Sequence, residues 1–360
     1  MSNADSRLRR DKSLFFDDGN IIIAAAPADD MKGLLFRVHK SILVKHSPVF
    51  ADMFTLPDLP SDTQDQNNLY EGLPVIPMYD KAQDVRGLLR FFYDAPSFIL
   101  DRYDPKTAER IFGILALAKK SQITPLWNRL VKHIKRCWPQ TLTAWDVLES
   151  DAKIRHNQRY DEELIDLVPY NDDIFPEPGF AIHLARTLDI REILPAAFYH
   201  LSRLKISHDR SVKEDTLDDM SEVRHEEISE HLVDYGGRTA NWSYLSIQDF
   251  RCLLLGRERI ERFLPTQLHR FAPAECWYKT CKGKVPEAQY RSLYRSPDVL
   301  NDLKYFIPED EEYSTDDICM SCRKHSRGIA HDIRLTIWDQ LAEFFDLPPV
   351  PEDDFAAVLP

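Results

Sequence analysis

No stretch of this sequence is long and apolar enough to span a bilayer or to form the core of a signal peptide, and residues 1–13 are polar, carrying Arg7, Arg9, Arg10 and Lys12. A soluble, intracellular protein (cytoplasmic or nuclear) with no membrane role is expected. Cysteine is sparse, six in 360 residues, which excludes a secreted disulfide scaffold and leaves thiols or metal ligands in a reducing compartment. Positive charge is outnumbered: 46 Lys and Arg against 59 Asp and Glu give a formal net charge of −13, so a phosphate backbone would be repelled and no nucleic-acid partner is expected. The arginines nearest to forming a basic patch, Arg251, Arg257, Arg259, Arg262 and Arg270, are interleaved with Glu258 and Glu261, as on an exposed helix face. Also missing are a Gly-rich phosphate loop, a Gly-x-Ser-x-Gly elbow and a His-Glu-x-x-His helix, while acid pairs such as Asp17-Asp18 and Glu226-Glu227 are common on solvated surfaces. Catalysis is therefore not expected.

What is present is enough apolar residue, 43% of the chain with 11% aromatic, for two cores of ordinary size. Ile21-Ile22-Ile23 and Leu34 to Val38 read as a strand pair. Ile42-Leu43-Val44, and Ser47-Pro48 ahead of Phe50, Met53 and Phe54, read as two short helices, the second with a cap and a proline at its first position. Residues 57–72 are polar and Pro-containing, a surface loop, and Val75 to Met78 return as a strand that Pro77 confines to an edge or an end. Val85, Leu88, Leu89 and Phe92 then mark one helical face, and Asp104-Pro105 and Thr124-Pro125 open two more helices. The order is β-β-α-α-β-α-α-α.

Beyond Pro139 the pattern is helical: Phe180 to Leu188, a helix opened by Pro195, one capped by Ser246 and Asp249, and a last one with Ile333, Ile337, Leu341 and Phe344 on one face. Residues 205–240 are polar, with nine acids against three bases in 210–234, and read as a solvated connection. The expected organisation is a first domain over residues 15–138, a helical C-terminal region over 139–346, and loose tails at 1–14 and 347–360.

The run Phe36-Arg37-Val38-His39-Lys40-Ser41-Ile42-Leu43, followed by Ser47-Pro48-Val49-Phe50-Ala51-Asp52-Met53-Phe54, resembles the BTB (POZ) domain. Asp18-Gly19-Asn20-Ile21-Ile22 looks like that domain's first strand, and Val75 to Asp80 with Leu88 to Tyr93 its later strand and helix; the whole looks like BTB proteins abundant in fungi. The resemblance implies an α+β fold, an N-terminal BTB/POZ-like domain of short strands with surrounding helices followed by a mainly α-helical C-terminal region. It implies a protein-interaction adaptor with protein partners, and a homodimer through this domain. The alternatives are a substrate adaptor for a cullin-type ubiquitin ligase, although Thr55-Leu56-Pro57-Asp58 stand where cullin-binding members show a hydrophobic-x-Glu element, and a zinc-containing transcriptional regulator. His39, at the junction of strand and helix, reads as a capping or core-edge residue.

Cys276 and Cys281, with four residues between them, and Cys319 and Cys322, with two, form two close pairs separated by 37 residues. Four thiolates on two short turns suit a tetrahedral structural zinc, and a helix beginning near Arg323 would stabilise the second pair through its N-terminal dipole. Such a zinc would tie the terminal helix to the segment after Pro273, two regions with little else to register them. Unliganded thiols and a disulfide are the alternatives, and His269, His325 and His331 are substitute ligands where one Cys does not participate. Cys137 and Cys252 sit at helical core positions.

Overall fold

The computed structural model describes residues 8–26, 33–55, 69–94, 100–160, 176–206, 240–271, 281, 293, 296–306 and 319–350, with the side chains of 153 and 155–160 excepted. The chain divides into two compact units, one of Met1–Arg102 with Lys106–Ile134, the other of Tyr103–Pro105 with Lys135–Pro360.

In the first unit, β2 (Ile21–Ala26) and β3 (Gly33–Val38) pair antiparallel, with Ile21 opposite Val38 and Ile23 opposite Phe36. Both strands are buried on both faces, which is why they read as continuous apolar runs without alternation. Helices α1 (Lys40–His46) and α2 (Pro48–Thr55) follow. Ser47 between them is fully buried; its Oγ accepts from Phe50 N–H at 3.2 Å and donates to the Ser121 carbonyl at 2.7 Å. The cap expected from Ser47-Pro48 is thus also a tie to a distant loop.

Strand β5 (Leu73–Lys81) lies parallel to β2 and leads into α3 (Ala82–Tyr93), which buries Val85, Leu88, Leu89 and Phe92 as the spacing requires. α4 (Thr107–Lys120) and α5 (Thr124–Cys137) complete the predicted β-β-α-α-β-α-α-α order. α4 starts at Thr107, beyond the expected Asp104-Pro105 device, with Lys106 at its N-cap and no side-chain cap.

Two strands were not expected. β4 (Leu69–Tyr70), at the end of the presumed surface loop, pairs with β5 across Glu71 and Gly72, both at positive φ, the signature of a tight two-residue hairpin. Residues 56–68 of that loop lie outside the described residues. β4 faces only Leu73 and Pro74, so β5 carries no described ladder on that side at Pro77, which suits a residue without an N–H donor.

The second correction is β1 (Leu8–Phe15), a strand parallel to β3 where a loose tail through residue 14 was expected. Its alternation is sparse, only Asp11 and Leu14 being buried, so its hydropathy looks like a tail, and backbone pairing with β3 plus one buried carboxylate hold it. The sheet order is β1-β3-β2-β5-β4, yet its two edge strands are bridged, because Arg10 of β1 donates to Tyr70 Oη at 3.1 Å and pairs with Glu71.

The second unit is helical: α6 (Leu142–Tyr160), α7 (Pro178–Leu188), α8 (Leu194–Ser202), α9 (Ile247–Leu268), α10 (Val299–Lys304), α11 (Met320–Asp339) and α12 (Leu341–Phe344). Prolines at the first turns of α7 and α8 open those helices, and Ser246 with Asp249 forms the predicted capping box of α9. Glu177 does the same for α7: its carboxylate accepts from Gly179 and Phe180 N–H and also from Asn241 N–H at 2.8 Å, fastening the segment ahead of α9 to the helix start. The stripe Ile333, Ile337, Leu341 and Phe344 is buried as expected, although Gln340 divides it between two helices. In the core, Trp145 and Tyr199 pack on Arg203, which joins Asp298 at 2.5 Å and Glu149 at 3.0 Å in a buried ionic cluster, and Phe198 packs on Phe345. Residues 207–239 and 351–360, and with them most of the expected acidic connection and C-terminal tail, lie outside the described residues.

Candidate metal centre and interaction surface

α11 begins at Met320, three residues earlier than expected, and this places Cys319 at its N-cap and Cys322 in its first turn. The helix has no acidic residue in that turn, so its unpaired N–H groups and dipole meet sulfur instead of a carboxylate. Cys281 comes to the same point from a separate segment, and the Cys319 backbone N–H donates to Cys281 Sγ at 3.2 Å. The sulfurs of Cys281, Cys319 and Cys322 all lie within 4.8 Å of one another and are half-buried.

Tetrahedral zinc with Zn–S bonds of about 2.3 Å would set its sulfurs roughly 3.8 Å apart. Three thiols converging inside 4.8 Å, joined to a helix N-terminus and to a backbone N–H, therefore fit a metal ion with little rearrangement. These three cysteines could hold a metal ion. The fourth expected ligand, Cys276, lies outside the described residues. None of His269, His325 and His331 joins the cluster among the described residues, and His325 and His331 are exposed on α11. Cys137 and Cys252 are buried in helices, as their positions suggested.

The terminal helix and the segment after Pro273 were expected to have little else to register them against each other; α11 is also tied to Leu300 and to α6. Arg334 of α11 is buried, donates from Nε to the Leu300 carbonyl at 2.8 Å, and pairs with Asp146 of α6. Trp338 Nε1 donates to the Gln140 carbonyl at 3.2 Å. Any ion at the cysteines would order the first turn of α11 and the Cys281 segment, not the whole helix.

In the first unit, His39 occupies the N-cap position of α1 without capping it. Its Nε2 lies 3.2 Å from Asp18, its Nδ1 lies 2.9 Å from Tyr93 Oη, and that same hydroxyl accepts the His39 backbone N–H at 2.9 Å. Hydrogen bonding to His39 holds Asp18 below the usual carboxylate range. This cluster ties β2's entry, α1 and the end of α3 together, and Phe16 stacks on Tyr93 at 4.6 Å. The core-edge role expected of His39 describes it, with partners that only the fold brings together.

Among the described residues of this unit, large apolar side chains are exposed at Leu69 and Tyr79 on β4 and β5 and on the two short helices. Val44 is 40% exposed, Val49 38% and Met53 36%, with Val49 and Met53 one turn apart on α2. Met53, read from periodicity as core, is outside it, and Phe50 is the buried residue of this two-turn helix.

Of the five arginines of the expected patch, four are engaged within the second unit and Arg251 is exposed. Arg257 donates to the Ser202 and Leu204 carbonyls, Arg259 to Glu343 and Phe344 carbonyls, Arg262 pairs with Glu258 and Arg270 with Asp332. Among the described residues no helix is long and apolar enough to cross a membrane.

Against known families, residues 28–137 match the BTB/POZ domain, a span covering β3, both short helices, β5 and α3 to α5. No curated protein and no solved structure matches the chain. The match lies within the segment that the sequence pattern marked out, and the chain therefore carries an N-terminal BTB/POZ domain, a protein–protein interaction module, followed by a helical C-terminal region.

Proposed function

We propose that the chain is a non-catalytic adaptor that associates with a second copy of itself through the BTB/POZ domain, and that its C-terminal region carries a structural zinc held by Cys281, Cys319 and Cys322 with Cys276 as fourth ligand. The observation that carries the first part is the uncovered pair of short helices within the matched domain, where Val44, Val49 and Met53 stand exposed. Apolar side chains clustered at a surface gain free energy when a partner removes them from water, at about 25 cal/mol per Å². A twofold interface suits such a patch, since one surface then serves both partners.

The zinc reading is supported by the converging sulfurs and by the chemistry of the donor set: four thiolates close the coordination sphere and leave no open position for a reacting water. The ion would fix chain geometry and take no part in a reaction.

Size-exclusion chromatography with light scattering, run at several concentrations with metal analysis of the same peak, tests both parts. A dimer with one zinc per chain is the expected result. A monomer at every concentration overturns self-association, and a metal-free peak prepared without chelator overturns the zinc centre. Met53→Glu with Val49→Glu should convert the dimer to monomer while the far-UV circular dichroism stays unchanged.

A further inference from the structure

The second unit contains a cavity of about 700 Å³, within the size range of small-molecule sites, between the end of α8, one face of α9 and the start of α10. Its walls are mainly apolar, from Leu204, Ile260, Leu264, Leu293 and Val299. Two guanidinium groups line it as well, Arg203 and Arg257.

Those groups are not equivalent. Arg203 is matched by Asp298 and Glu149, but its Nε is buried without a hydrogen-bond partner. Arg257 has no carboxylate partner among the described residues: Nε and Nη2 donate to the Ser202 and Leu204 carbonyls at 3.0 and 2.8 Å, and Nη1 has no described partner. A half-buried cation without a counter-ion is costly to maintain, and burial pushes the Arg257 guanidinium below its ordinary value. Carbonyls at the end of α8 favour the cation through the helix dipole but do not neutralise it. The acid at the rim, Glu261, is exposed and forms no ion pair with Arg257.

We propose that this cavity binds a small amphipathic monocarboxylate, its carboxylate held by Arg257 and its apolar body packed against Ile260, Leu264, Leu293 and Val299. A carboxylate matches the planar fork of a guanidinium, supplies the missing charge, and brings acceptor oxygens to N–H groups that lack them. A purely apolar ligand would fill the volume and leave Arg257 uncompensated. A multiply charged anion would place charge against the apolar wall.

The probe is octanoate, with 1-octanol as its neutral counterpart, each titrated calorimetrically into the full chain. The expected result is saturable one-to-one octanoate binding, at least tenfold tighter than octanol. Arg257→Gln should erase that preference. Because this variant also loses contacts to the end of α8, a second one is read beside it: Ile206→Glu, at an exposed position on the cavity wall, should weaken octanoate at least fivefold with an unchanged melting temperature. Absence of saturable octanoate binding, equal affinity for octanol, or a charge preference that survives in a folded Arg257→Gln protein would each overturn the proposal. If Arg257→Gln does not fold, the Ile206→Glu result decides.

Discussion

Asp11 of the edge strand β1 and Arg86 of α3 form an ion pair, with Arg86 Nε donating to Asp11 Oδ2 at 2.6 Å. The other carboxylate oxygen accepts from Ser13 N–H, Ser13 Oγ and Leu14 N–H at 2.9 to 3.0 Å. One side chain therefore organises the strand's own backbone and fastens it to a helix 75 residues away in sequence.

Asp11→Ala leaves Arg86 and two backbone N–H groups without their acceptor, and should destabilise the first unit by about 1–3 kcal/mol. Amide exchange should quicken first in Leu8–Phe15. Burial alone would raise the Asp11 carboxyl, but the Ser13 and Leu14 donors and Arg86 outweigh it and hold the value below the ordinary range. With the folded value depressed, this stability is present above the unfolded value and is lost as pH falls through the folded one. Acid unfolding of the wild type should therefore lose a component that Asp11→Asn lacks, read as a shallower pH dependence of the denaturation midpoint.

Asp84 has the opposite sign. It packs against Gly113 of α4, where a Cβ would lie 2.0 Å from its carboxylate, and burial raises its carboxyl above the ordinary value. The protonated form is the one the folded state favours, so the stability it contributes is present below the unfolded value and lost as pH rises through the folded one. Asp84→Asn should raise the melting temperature at pH 7 and have little effect well below pH 4. Equal effects at both pH values would remove the electrostatic explanation.

Two helical glycines should respond in opposite directions to alanine. At Gly256 of α9 a Cβ would meet the Phe345 ring at 1.9 Å, so Gly256→Ala should cost about 1–3 kcal/mol through overpacking. At Gly328 of α11 nothing lies within 4 Å, and Gly328→Ala should stabilise by about 0.5–1 kcal/mol through helix propensity. Chemical denaturation of the two variants measures both.

Removing the proposed ion should loosen one end of a helix and leave the rest in place. With chelator, or in Cys319→Ser, zinc content should fall well below one per chain and amide protection should drop through the first turn of α11. Protection at Ile333 and Ile337 should persist, because Arg334 and Trp338 hold that part of the helix independently. Loss of protection along all of α11 would assign the ion a larger role than local ordering.

The β2–β3 pair, the two short helices, the stripe of α3 and the capping box of α9 were legible in sequence because each is written in residues close along the chain. Period, cap and turn chemistry act within a few positions, and a buried face repeats at intervals that the fold cannot disguise. The closeness of Cys319 and Cys322 was legible for the same reason, whereas the approach of Cys281 to them depends on the fold.

β1 was invisible because its hydropathy is that of a tail: Arg9, Arg10, Lys12 and Ser13 are exposed, and its place depends on β3, whose paired residues lie 22 to 25 positions onward, and on Arg86. Tertiary structure alone decided that Met53 stays outside the core, that Cys319 stands at the N-cap position of α11 with Cys281 and Cys322 close by, and that Arg257 lines a cavity with no ion-pair partner among the described residues. Each of these depends on which distant element covers a side chain. Local sequence specifies a residue's propensity and periodicity, but the free energy of burial and ion pairing is set by neighbours the chain meets only after folding.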